Sequence, residues 1–151
     1  MSLPSMDAGR VDGGLHVAEE LSQERCWDLL RSNTTGRFGF LQQGRVMILP
    51  VNYLVDGQSI YFRTAGDGSI AEAVPSLESS FQIDDSRADR SEGWSVLVSG
   101  ASSRVEDQDL LTRLWGKVMA EPWAGGERNL FIRIHARVSP DATCIWSELL
   151  E

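Results

Sequence analysis

The stretch LPVNYLVDGQSIYFRT, residues 49–64, carries the pattern on which the fold turns. Two apolar runs flank Asp56-Gly57, a dipeptide that favours a tight hairpin because glycine accepts positive φ without strain. The first run nevertheless contains Pro50 and Asn52. Proline has no amide hydrogen to give a ladder, so Pro50 marks a strand edge or a local break. Asn52 beside it reads in two ways. It is a solvated residue on an edge strand, or it belongs to exposed backbone that a flat heteroaromatic ring could use. The second run ends in Phe62-Arg63-Thr64 and opens into Ala65-Gly-Asp-Gly-Ser69. A guanidinium, hydroxyls and glycine amides in one short stretch can cradle a phosphate. The same residues also make an ordinary strand-to-helix connection with a capping serine, and Asp67 opposes an anion there.

Working outward, the period-two pattern recurs. Phe38 and Phe40 alternate with Arg37 and Gly39, and a Gln42-Gln43-Gly44 turn leads to strands over 46–55 and 59–64. Further strands are expected over 79–84, 94–105, with Gly100 as a bulge or bend, and 130–138. Ser22 can cap a helix carrying Cys26, Leu29 and Leu30, which ends between Asn33 and Gly36. A short helix over 70–74 stops at Pro75. Asp107 can cap one over 108–119 with Leu110, Leu111, Leu114 and Val118 on a single face. About six strands joined by short turns pair antiparallel, and at this length they close rather than leave edges. The expected fold is mainly β with peripheral helices: a six-stranded antiparallel barrel.

The chain's 151 residues suit one domain. Residues 1–16 read as a flexible N-terminal tail and 17–151 as the domain. A net charge of −8 argues against a general nucleic-acid or anionic-membrane binder, which needs clustered Lys and Arg. No apolar run reaches the ~20 residues of a membrane span. No basic-then-apolar leader is present, so a cytoplasmic location is expected. The two cysteines, Cys26 and Cys144, suggest neither a disulfide framework nor a metal site. His16 lies in the tail, and His135 alternates with Arg133 and Arg137. No Ser–His–Asp, metal-binding or P-loop pattern is present, so no catalytic residue and no metal ligand is assigned. Of five tryptophans, Trp27 and Trp115 fit helical apolar faces, whereas Trp94 and Trp123 could edge a pocket.

The segments GRFGF, GRVMILPVNYLVDGQSIYFRTAGDGS, GWSVLVSG and PWAGGERNLFIRI follow one another between Leu21 and Trp146. In this order and spacing the chain resembles the pyridoxamine 5′-phosphate oxidase-like flavoproteins, especially the actinobacterial group related to nitroimidazole-resistance proteins. The resemblance implies an FMN-binding split barrel, a homodimer with cofactor at the subunit interface. It implies Val51 and Asn52 along the isoalloxazine ring and Arg63, Thr64 and Ser69 at the ribityl phosphate. Trp94, Ser95 and Trp123 would complete the site, some from the partner subunit, and Pro50, Phe62, Gly68 and Arg133 belong to the same cofactor-binding set.

Two departures bear on function. Relatives usually carry Lys or Arg directly after the Gly-Ser of the phosphate loop, where this chain has Ile70. Losing a charge-assisted contact costs roughly 1.5–3 kcal/mol unless something replaces it. The oxidases of vitamin B6 follow Trp-x-Gly-Gly-Glu with Arg-x-His-x-Arg; here Trp123-Ala-Gly-Gly-Glu127 leads to Asn129-Leu-Phe131-Ile-Arg133 and only the last arginine remains. Oxidation of pyridoxamine phosphate is therefore not expected. The expected activity is flavin-dependent reduction of a small organic molecule, since the flavin itself carries such chemistry. The alternatives are a carrier holding flavin, a deazaflavin or haem without turnover, and a barrel without cofactor.

Overall fold

In the computed structural model, which describes residues 10–11, 14–86, 92–119, 129–137 and 144–150, the strands form one antiparallel system. The order is β1 (Arg10–Val11), β2 (Gly14–Glu20), α1 (Gln23–Arg31), β3 (Thr35–Gln42), β4 (Arg45–Asp56), β5 (Ser59–Thr64), α2 (Ser69–Ala73), β6 (Ser76–Ser86), β7 (Glu92–Arg104), α3 (Gln108–Met119), β8 (Leu130–Arg137) and β9 (Cys144–Leu150). Neighbours run β7-β6-β3-β4-β5-β8, and β8 returns to β7, so six strands close into the expected barrel.

Three strands were not anticipated. β9 pairs with the first part of β7, β2 pairs with β9, and β1 with β2. Residues 14–16, read as tail, thus lie in β2, where His16 stands opposite Leu149. β9 is far in sequence from both β2 and β7, so no local pattern announces those two pairings, whereas β1 and β2 stand only two residues apart. Cys26 is disulfide-bonded, which the spacing of two cysteines did not suggest.

Local chemistry explains the connections. Gln43 and Gly44 both take positive φ (50° and 78°), the two-residue turn whose twist matches antiparallel strands. In the β4–β5 hairpin, Asp56 pairs with Ser59, so the turn residues are Gly57, at φ 60°, and Gln58. Ser22 accepts from the Arg25 amide at 3.1 Å and caps α1. Asp107 accepts from the Leu110 amide at 2.9 Å and caps α3.

The inner faces supply the core. Phe38, Phe62, Phe81, Ile83, Val96, Val98, Ile132 and Ile134 are buried together. Cys26, Trp27, Leu29 and Leu30 of α1 join this cluster, as do Ile70 and Val74 in and after α2. The Tyr53 hydroxyl donates to the Leu30 carbonyl at 2.6 Å, tying α1 to β4. The amphipathic α3 lies outside, where Leu114 and Val118 meet Tyr61, Val105 and Phe131. Arg113 reaches Asp56 at 2.7 Å and Lys117 lies 3.8 Å from it, and these cations hold the Asp56 carboxyl below its ordinary range.

Gly100 controls closure. It pairs with Ser79 on β6 and Ala136 on β8, and a Cβ there would lie 2.1 Å from the His135 carbonyl oxygen. That obstacle is backbone and cannot swing aside. The anticipated irregularity sits opposite, in β6, where the register shifts between Ser76 and Ser79. Gly100→Ala is expected to lower stability by about 3 kcal/mol, or roughly 6–12 °C in Tm. A thermal melt matching the wild type would contradict this close approach.

Candidate functional site

The hairpin that decides the fold also splits. β4 and β5 pair from Asp56↔Ser59 to Tyr53↔Phe62 and then part. The next register positions would set Asn52 against Arg63 and Val51 against Thr64. Neither pair forms, although each strand keeps its neighbour on the other edge: Arg63 and Thr64 pair with Phe131 and Leu130 of β8, and Asn52 and Val51 with Thr35 and Gly36 of β3. From Arg45 to Asn52, β4 has a strand neighbour on one side among the described residues. Pro50 stands opposite Arg37 in a continuous β3–β4 ladder. Of the two readings of this proline, the edge holds, and the local break does not.

The split leaves Pro50, Val51 and Asn52 on one side of the opening between the unpaired strand segments. Phe62, Arg63 and Thr64 lie on the other, continuous with the loop to Gly68 and Ser69. Alternation then distributes their side chains. Val51 and Phe62 point inward and are buried, and the Phe62 ring lies 4.8 Å from that of Phe38. Their side chains belong to the core and do not line the space between the strands. Asn52 is exposed and its Oδ1 accepts from Thr35 Oγ1 at 3.1 Å. Arg63 turns outward, its guanidinium 5.3 Å from the centre of the Trp115 ring on α3. Gly68 caps α2 without a side-chain bond, and Ser69 begins the helix. The helix has only five residues, too few for much of a macrodipole.

Two glycines of the loop are informative. Gly66 has open space where a Cβ would stand, and the Cβ of Gly68 would meet only ordinary contacts near 3.7 Å. Neither has positive φ. No crowding or strain within the described chain therefore demands glycine at either position.

The remaining candidates lie elsewhere. Trp94 is half-buried against the core. Ser95 faces outward into a shallow groove of about 490 Å³, lined also by Arg37, Gly39, Ile48, Gln82 and Leu97. Arg37 spans this groove, donating to Gln82 Oε1 at 3.1 Å and Asp84 Oδ1 at 2.7 Å. Arg133 is on a different outer face, where its Nε donates to Ser59 Oγ at 3.1 Å and its guanidinium lies 5.9 Å from the Tyr61 ring. Trp123 lies outside the described residues. Sequence reading missed Arg37 and Ile48 as groove residues. The signal was the run Val46-Met-Ile-Leu49, apolar on both faces of an edge strand, where one face suffices for the core.

Beside Arg133, the Ser103 hydroxyl and His135 Nε2 are 3.0 Å apart. The His135 pKa is lowered, chiefly by burial and secondly by the Arg133 charge. A histidine that resists protonation when folded withdraws stability as the pH falls through its ordinary value. An NMR titration is expected to place the His135 midpoint below 6.5. Arg133→Gln should raise that midpoint without reaching the ordinary value, because burial remains. A midpoint unmoved by this substitution would remove the charge from the account.

Among the described residues no helix is long and apolar enough to cross a membrane, and no cluster of three or more His, Cys, Asp or Glu is placed to hold a metal. A Mycobacterium tuberculosis protein of uncharacterised function is 27% identical over 124 residues, covering 79% of this chain and 80% of its own. The FAD-binding protein from Mycobacterium smegmatis superposes with a TM-score of 0.63 at 26% identity, covering 87% of this chain and 97% of that one. A candidate 5-nitroimidazole antibiotic resistance protein from Bacteroides thetaiotaomicron gives 0.66 at 12% identity, over 92% and 91%, a likeness of fold alone. The family model described as pyridoxamine 5′-phosphate oxidase matches residues 22–141. The chain belongs to the pyridoxamine 5′-phosphate oxidase family and has its split-barrel fold.

Proposed function

We propose that this protein is a cytoplasmic flavoprotein that binds FMN in the β4–β5 cleft and reduces a small organic molecule. The observation that carries the reading is the parting of β4 from β5 beyond Tyr53↔Phe62. It leaves a strand edge at Pro50–Asn52, whose backbone groups suit the donor and acceptor rim of a flavin ring. Thr64 and the glycine-containing loop continue from the same point, and nothing in the described chain explains Gly66 and Gly68. The FAD-binding relative supports a flavin, and the short loop suits the single phosphate of FMN. When bound, the flavin supplies hydride transfer. The chain orients the ring on the β4 edge, holds the phosphate end by the loop and shields the cleft with the core behind Val51.

A homodimer belongs to this reading. Arg133 and Ser95 stand on separate outer faces of one barrel, so only a second copy could place both at one cofactor. Leu41, Val46 and Ile48 are exposed by 59%, 74% and 64% on the outside of β3 and β4, where Leu41 pairs with Val46. Exposed apolar side chains gathered on one face mark an interaction surface.

Titration of the purified protein with FMN, FAD, riboflavin and haem, followed by absorbance and by NAD(P)H oxidation, tests the cofactor. FMN is expected to bind and to raise Tm, with Gly66→Ala weakening binding while leaving the apo-protein's melt unchanged. No FMN-dependent change in spectrum or Tm would end the flavin reading; tight binding without electron transfer to any acceptor would make the protein a carrier. For the dimer, Ile48→Glu is expected to halve the mass seen by light scattering. A wild-type monomer would refute the assembly.

A further inference from the structure

We propose that Arg104 is the cation at the phosphate end of the cleft: it fixes α2 and presents its remaining donors to the phosphate. This rests on the flavin reading above. A phosphate monoester carries between one and two negative charges near neutral pH and calls for a charged donor when partly withdrawn from water. The loop supplies none. Its charged residue is Asp67. Ile70, the first side chain after Ser69, is 5% exposed and packed in the core. Arg63 lies against Trp115 on the outer face, while Thr64, one residue on, belongs to the inner one.

Arg104 has the complementary placement. It ends β7 on the same side as the inward-facing Val96, Val98 and Ser102. Register carries this line across the barrel end: Arg104 is opposite Ile132, and Ile132 is opposite Phe62, two residues before Thr64. Its Nη2 donates to the Ala71 carbonyl of α2 at 2.8 Å. A second tether, Gln42 Nε2 to Glu72 Oε2 at 3.2 Å, joins α2 to β3.

The nature of the Ala71 partner matters most. A neutral carbonyl leaves the guanidinium its full charge, whereas Arg37 and Arg113 are each neutralised by a carboxylate at 2.7 Å. Among the described residues one of its five N–H donors is engaged, so a phosphate can still be bound in the forked manner that arginine favours. Arg45 also starts at this end, opposite Gln42, but makes no hydrogen bond to α2 among the described residues.

The test compares FMN with riboflavin, which lacks the phosphate, by quenching of flavin fluorescence in the wild type, Arg104→Gln, Arg104→Lys and Arg45→Gln. Arg104→Gln is expected to weaken FMN roughly tenfold or more and leave riboflavin within about twofold. Arg104→Lys should recover part of the FMN affinity, and Arg45→Gln should change neither ligand. Equal weakening of both ligands by Arg104→Gln would reduce the residue to a support for α2 and overturn the proposal, as would unchanged FMN binding. If Arg104→Gln does not fold, Arg104→Lys decides: a selective loss of FMN supports the proposal, and a parallel change or none overturns it. A wild type that binds neither ligand refutes the flavin reading and this inference with it. A wild type that binds both, with a ratio no Arg104 variant moves, refutes Arg104 alone.

Discussion

The space left by the absent side chain of Gly100 is where β7 and β8 approach closely enough to complete the barrel. Without that ladder, β8 would hang from β5 alone, and the inner faces would form an open sheet with two exposed edges. Closure turns the alternation of every strand into a division between one shared interior and the outer surface. The packing of Phe38, Phe62 and Phe81, the seating of α1 and α2 in the same core, and the docking of α3 outside all follow from it.

The same alternation sorts chemistry. Arg63 and Thr64 are neighbours in sequence, yet one meets α3 and the other faces inward. Arg104, forty residues further on, reaches α2 because β7 and β6 bring that strand end across the barrel. A cluster of polar residues in the sequence is therefore no guide to which of them share a site. Strand parity and register decide that, and here they separate Ser95 from Arg133 by placing them on different outer faces.

Most of the architecture was legible because it is local. Ser22 and Asp107 cap their helices with side-chain oxygens, the turn glycines take positive φ, and the period-two runs become strands. The departure of Pro50 from strand chemistry was also informative, since it does mark an edge. The candidate site was legible only as two segments. Residues 50–52 and 62–64 lie where β4 and β5 part, but the inward turn of Val51 and Phe62 depends on burial against residues remote in sequence. The pairings of β9 with β2 and β7 escaped notice for a similar reason: they join segments remote in sequence.

Sequence alone thus determined the element types within the barrel, its hairpins and the family pattern, because propensities, caps and turns act over a few residues. Tertiary structure alone decided that the β4–β5 hairpin opens after Tyr53↔Phe62 and that Ile70 enters the core. It alone decided that Arg63 lies against Trp115 and that Arg104 meets Ala71. Each of these outcomes is set by closure of the barrel, which fixes strand register and so determines which distant side chains compete for the same space.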